Sequence, residues 1–204
     1  SRASRDNLAF AKGIARAGLE VSRVLEAGGT VFAAGNGGSA TQAQHLTSEL
    51  VGRFRNDRRG LRAISLTSEP AAITAIGNDF GFDQVFARQI EALAEPDDLF
   101  IALSTSGRSP NLLVAADVAR ERGLVVVGMT ADGSELSDRC HVVVSAPPGG
   151  TAAIQEDHLA ALHLICEVVE SEVFGRSYGP EELWGLVGFD EALEQRESWR
   201  TEGR

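Results

Sequence analysis

His45 and Glu49 stand four residues apart in the stretch QHLTSEL, and on a helix that spacing turns both side chains toward one place. An imidazole and a carboxylate so placed could hold a divalent metal or orient each other as acid and base. The plainer reading is a surface ion pair between Glu49 and Arg53 beside a half-buried histidine. A second pair lies near the end of the chain. In IQEDHLAALHLICEVVE, the residues Leu159, Leu162, Cys166 and Val169 form an apolar stripe, with Gln155 in its middle and His163 on its flank. Gln155 and His163 are about 80° apart on the helical wheel, close enough to converge beside the core. An amide inside an apolar stripe needs a polar partner. His158 falls on the other side and reads as structural or solvent-facing.

Two loops carry the chemistry of anion binding. The first, Asn36-Gly37-Gly38-Ser39, opens the helix that bears His45 and Glu49, and its glycines permit a tight turn with helix-start amides facing outward. Ser39 is expected to cap that helix. The second loop, Ser104-Thr105-Ser106-Gly107-Arg108-Ser109, offers four hydroxyls, with Ser109 expected as N-cap and Pro110 as first helical residue. Hydroxyls and amides together suit a phosphate monoester. Neither loop matches the Walker pattern or the dinucleotide fingerprint.

Positioning these groups falls to an alternation of short β-rich runs and helical patterns. The strands are expected at Thr30 to Ala34, Arg62 to Thr67, Asp98 to Ser104, Leu124 to Thr130 and His141 to Ala146; two of them, with LFIAL and LVVVGM, are almost continuously apolar. Such strands are buried on both faces of a parallel sheet. Helices are expected at Leu8 to Ala27, Ala40 to Phe54, Ala71 to Ala75, Asp83 to Leu93, Pro110 to Arg122 and Ile154 to Phe174. The fold class is therefore α/β, a doubly wound five-stranded parallel sheet flanked by helices. With strand order 2-1-3-4-5, the first and third strands would be neighbours at the topological switch point, and both loops would line one crevice. Asn78 and Asp79 fall between helical pieces as turn formers or substrate contacts.

The chain has 204 residues, 43% of them hydrophobic, and a formal charge of −10. That size fits one globular domain over 1–174, with a C-terminal extension over 175–204 that is partly helical or mobile. The acidity argues against a nucleic-acid-binding face. Five arginines between Arg53 and Arg62 read as a solvated loop or a subunit contact. No apolar stretch approaches the ~20 residues that cross a bilayer. Cys140 and Cys166 read as reduced thiols, so the expected location is cytoplasmic.

Four motifs, GNGGSATQAQHLTSELVGRF, ITAIGNDFGFDQVFARQI, STSGRSPNLLVAADVARERGL and IQEDHLAALHLICEVVE, resemble in order and spacing the sugar isomerase (SIS) domain of phosphoheptose isomerases. The likeness covers about residues 5 to 174. It implies a homotetramer with active sites at subunit interfaces, and interconversion of D-sedoheptulose 7-phosphate with D-glycero-D-manno-heptose 7-phosphate or its D-altro epimer. It further implies Zn(2+) on His45, Glu49, Gln155 and His163, with Glu49 and His163 as the acid–base pair. Ser104, Thr105, Ser106 and Ser109 would hold the phosphate. Asn36, Gly37, Gly38, Ser39, Arg53, Asn78, Asp79 and Gln155 would line the sugar. Three features depart from the family pattern: Ala152 and Ala153 before the last Ile-Gln-Glu, Arg108 in place of an Asn, and the longer tail. Rival readings are a non-catalytic SIS tetramer that binds a replication initiator, a sugar-phosphate sensor, and an isomerase acting on another sugar phosphate.

Overall fold

The computed structural model describes residues 7–175. The elements run α1 (Leu8–Glu26), β1 (Val31–Gly35), α2 (Gly38–Val51), β2 (Ala63–Ser65), α3 (Pro70–Phe80), α4 (Ala87–Leu93), β3 (Leu99–Leu103), α5 (Pro110–Glu121), β4 (Val125–Thr130), β5 (Val142–Ser145) and α6 (Thr151–Phe174). All strand pairs are parallel, and the order is β2-β1-β3-β4-β5. The expected doubly wound sheet and its switch point are therefore present.

Burial explains the strand sequences. Every residue of β1 and β3 is buried, because helices cover both faces. On one face, α1, α2 and α6 bury Phe10, Ile14, Leu46, Leu50, Leu162 and Ile165 against the sheet. On the other, α5 and the α4 region bury Val85, Ile90, Leu112 and Ala116. Each large aliphatic side chain so covered contributes about 1.5–3 kcal/mol.

Several helix limits differ from the sequence reading. Helix α2 begins after Gly37, which has φ +54° and takes the cap position in place of Ser39. It ends at Val51, so Arg53 and Phe54 lie beyond it rather than on its wheel. Helix α3 runs on to Phe80, which puts Asn78 and Asp79 in its last turn instead of between helices. Its start is fixed by Pro70 in the first turn and by the Glu69 carboxylate, which accepts from Ala71 N–H at 3.0 Å. The stretch Asp83 to Leu93 divides into a 3-10 turn over Phe82–Gln84 and helix α4. Leu159 is exposed, not part of the buried stripe, and His158 is fully buried, not solvent-facing. Apart from Gly175, the expected C-terminal extension lies outside the described residues. Among the described residues no helix is long and apolar enough to cross a membrane.

Candidate active site

Strands β1 and β3 lie side by side, with Gly35 opposite Leu103, so the loops that follow them open at the same end of the sheet. The two loops are also tied directly. Asn36 and Asn111 exchange side-chain amide hydrogen bonds, each Nδ2 donating to the other's Oδ1 at 2.9 Å. Asn111 was not singled out from the sequence; its only signal there is its place in the first turn after Ser109-Pro110.

Both helices that rise from these loops start without a side-chain cap, so the positive end of each helix dipole faces the loops and favours an anion there. Ser109 holds the N-cap position of α5, but its hydroxyl stands 3.4 Å from the Ser104 hydroxyl and does not cap the helix. Ser104 is buried and accepts from Gly107 N–H at 3.0 Å. Ser106 is exposed and accepts from Arg108 N–H at 3.3 Å, while Thr105 is half-buried. The four hydroxyls thus range from the floor of the loop to its rim.

The seam between α2 and α6 brings together residues more than a hundred positions apart. His45 Nε2 and His163 Nε2 are 3.0 Å apart, one ring donating and the other accepting. Glu49 Oε1 is 3.4 Å from His45 Nε2. Phe54 stacks on the His163 ring, with ring centroids 5.6 Å apart and planes 23° from parallel. Burial pushes the His163 pKa below its ordinary value; the neighbouring His45 and Arg55 add to that shift and Glu49 opposes it. His163 is therefore mainly neutral at pH 7, able both to donate and to accept a proton.

Gln155 joins the glycine loop. A Cβ at Gly38 would collide with the Gln155 carboxamide, so only glycine lets that amide lie on the loop. The Gln42 amide donates to the Gln155 carbonyl at 2.6 Å, fastening the start of α6 to α2. Arg53, Asn78 and Asp79 are not brought to the histidines within the chain. All three are exposed; Arg53 faces Asp57 at 3.5 Å, and Asn78 donates to Asp79 at 2.7 Å.

Among the described residues no three His, Cys, Asp or Glu side chains are gathered in ligand geometry for a metal. The donor chemistry nevertheless fits a zinc ion. Two imidazole nitrogens on one tetrahedral ion are about 3.3 Å apart, from Zn–N bonds of about 2.0–2.1 Å. Replacing the 3.0 Å hydrogen bond between His45 and His163 needs a small separation, and Glu49 is already within reach of a third position.

The arginine run is not a solvated loop throughout. Arg58 is buried, and its guanidinium donates to the carbonyls of Glu49 at 2.6 Å and Leu50 at 2.9 Å and to Glu170 Oε1 at 3.0 Å. Arg55 pairs with the fully buried Glu167 at 2.6 Å. These contacts went unrecognised in the sequence, although Glu167 and Glu170, three residues apart in the apolar run LICEVVE, signal a need for cations.

The SIS-domain family model matches residues 5–131. A phosphoheptose isomerase of Bradyrhizobium is 45% identical over 172 residues, 84% of this chain and 86% of the relative. That of Geobacter metallireducens is 47% identical over 159 residues, 78% of this chain and 84% of the relative. The solved phosphoheptose isomerase of Neisseria gonorrhoeae superposes with TM-score 0.73 at 37% identity, covering 78% of this chain and 85% of that one.

Proposed function

The chain belongs to the phosphoheptose isomerase family of SIS domains and is a sugar-phosphate isomerase; from that premise we propose that it interconverts D-sedoheptulose 7-phosphate and D-glycero-D-manno-heptose 7-phosphate, or the D-altro epimer. The observation that carries this reading is the meeting of His45, Glu49 and His163 across the α2–α6 seam.

Aldose–ketose isomerisation removes a proton from the carbon next to a carbonyl, forms an enediol, and returns the proton to the neighbouring carbon. Glu49 is the base that moves the carbon-bound proton. His163, mainly neutral at pH 7, moves protons at O1 and O2 and assists ring opening. The hydroxyls of Ser104, Thr105, Ser106 and Ser109, with the uncapped starts of α2 and α5, grip the phosphate at the far end of the sugar. Anchoring that end holds the reacting carbons in register and lowers the entropic part of the barrier, since a bound substrate no longer searches for its base. Asn36, Gly37, Gly38, Ser39 and Gln155 line the sugar between the two ends. His45, Glu49, His163 and Gln155 are the residues that would hold zinc, which when bound polarises the two substrate oxygens and stabilises negative charge on them.

The enzyme works as a homotetramer whose sites are completed across subunit interfaces. Two features support this. Helix α3 buries none of its residues, leaving Phe80 more than half exposed. Arg53, Asn78 and Asp79, expected at the sugar, do not reach the histidines of their own chain.

The test is to incubate the purified protein with sedoheptulose 7-phosphate, with and without a chelator, and to follow the appearance of an aldose phosphate by NMR. Turnover is expected, with loss on chelation. Glu49→Gln is expected to reduce it on the order of 10² to 10⁴-fold while phosphate still binds. Substrate left unchanged by the wild-type protein, together with capture of a replication initiator, would favour the non-catalytic reading.

A further inference from the structure

We propose that Glu170 is a positioning residue for the acid–base pair, acting through Phe54 and Arg58; this rests on the assignment of Glu49 and His163 to catalysis. The segment after α2, residues 52–58, has neither helix nor strand to satisfy its backbone. One buried carboxylate does much of that work. Glu170 Oε1 accepts from Phe54 N–H at 3.2 Å and Arg58 Nε at 3.0 Å. Its Oε2 accepts from Asn56 N–H at 3.3 Å and Asn56 Nδ2 at 2.9 Å.

Two consequences reach the site. Holding Phe54 N–H fixes the ring that stacks on His163, so the imidazole cannot turn its Nε2 away from His45 and Glu49 without losing that face. Holding Arg58 aims its guanidinium at the carbonyls of Glu49 and Leu50, which closes the last turn of α2 under the Glu49 side chain. His163 and Glu170 are seven residues apart on α6, two turns along one side of the helix. A single rigid helix therefore presents the imidazole and also anchors the segment that restrains it.

Stability alone is a poor account of this arrangement. Glu170 and Arg58 are both almost fully buried, with side-chain exposures of 1% and 2%, and such a pair is often no better for stability than apolar side chains of the same volume. What apolar side chains could not do is gather four N–H groups of an irregular segment on one point.

The experiment separates position from stability by three variants assayed with sedoheptulose 7-phosphate. Phe54→Leu leaves the buried pair intact; kcat is expected to fall about 10- to 100-fold with KM within about twofold and the melting temperature unchanged, because misplacement of a reacting group on the order of 1 Å costs this much. Phe54→Tyr, which keeps the stacked ring, is expected to recover most of that loss. The double variant Glu170→Met, Arg58→Met avoids a stranded buried charge; it is expected to fold with an equal or higher melting temperature and to lose kcat about as much as Phe54→Leu. Wild-type kcat in Phe54→Leu or in the folded double variant overturns the proposal. Glu49→Gln, measured alongside, keeps the two ideas apart: ordinary turnover there removes the acid–base assignment itself, whereas an inactive Glu49→Gln with an unimpaired Phe54→Leu removes only the positioning role.

Discussion

Helices α2 and α3 both follow strands at the same end of the parallel sheet, on opposite faces of it, yet they are finished in different ways. Helix α2 buries Ala43, Leu46 and Leu50 completely, and its end is closed by Arg58 from within the chain. Helix α3, with the apolar sequence PAAITAIGNDF, buries no residue; Ile73 and Ile76 touch the core only in part, and Phe80 and Phe82 are 54% and 57% exposed. Composition predicts the reverse, since α3 is the more apolar of the two. The difference separates the groups they carry. His45 and Glu49 on α2 are set by internal packing, whereas Asn78 and Asp79 on α3 wait on whatever covers that helix, which the proposed tetramer makes another copy of the chain.

The strongest way to break this comparison is to charge the open helix. Phe80→Asp alters a side chain that is exposed within its own subunit, so the stability of the separate chain should change by no more than about 0.5 kcal/mol. At a buried subunit contact an unpaired carboxylate costs about 2–5 kcal/mol, a weakening of association by roughly 30-fold to several thousand-fold. Light scattering should show a smaller particle, and activity should fall with dilution. An unchanged mass with full activity would mean that α3 is not an interface.

A second test probes the closed side. His158 on α6 is fully buried, and among the described residues neither ring nitrogen has a hydrogen-bond partner. Burial lowers its pKa to about 4, opposed in part by Asp157. The sign follows from proton uptake: an unfolded chain takes up the proton near pH 6.5, the folded one only near 4, so stability is intact above pH 6.5 and declines as the pH falls toward 4. Over that interval the loss attributable to His158 is about 3 kcal/mol. Denaturant unfolding of the wild type and of His158→Leu at pH 7 and pH 4 should show the variant losing about that much less. Parallel acid curves for the two proteins would place the acid sensitivity elsewhere.

The comparison also marks what could be read from the sequence. The strands were legible to within two residues at either end, because continuous apolar runs between turn residues have few other solutions in an α/β chain. The pair His45/Glu49 was legible because helical spacing fixes which side chains share a face, whereas Gln155, expected beside His163, lies against Gly38 of the glycine loop. Spacing does not say which irregular segment crosses that face. The meeting of Phe54, Arg58 and Glu170 depends on the helix ending at Gly52, where ψ is −103°, and on hydrogen bonds spanning 112 to 116 positions. The true length of α3 was hidden for a related reason: Asn78 and Asp79 look like turn formers, but a proline start and a Glu69 cap carried the helix through them.

The smallest expected effect lies at the boundary between the two regions, and contrasts two arginines five residues apart. Arg58 is enclosed and multiply bonded, whereas Arg53 is 59% exposed and faces an Asp57 that is 98% exposed at 3.5 Å. In water such a pair gains little Coulomb energy and must immobilise two side chains. Arg53→Ala should therefore change stability by less than about 0.5 kcal/mol, where removing Arg58 alone would strand a buried carboxylate at a cost of about 3–5 kcal/mol. If Arg53 serves the sugar of the assembled enzyme, the same substitution raises KM with the melting curve unmoved. If neither KM nor the melting curve responds, the arginine has no part in the site, and the sugar is held from α2, α6 and the two anion loops without it.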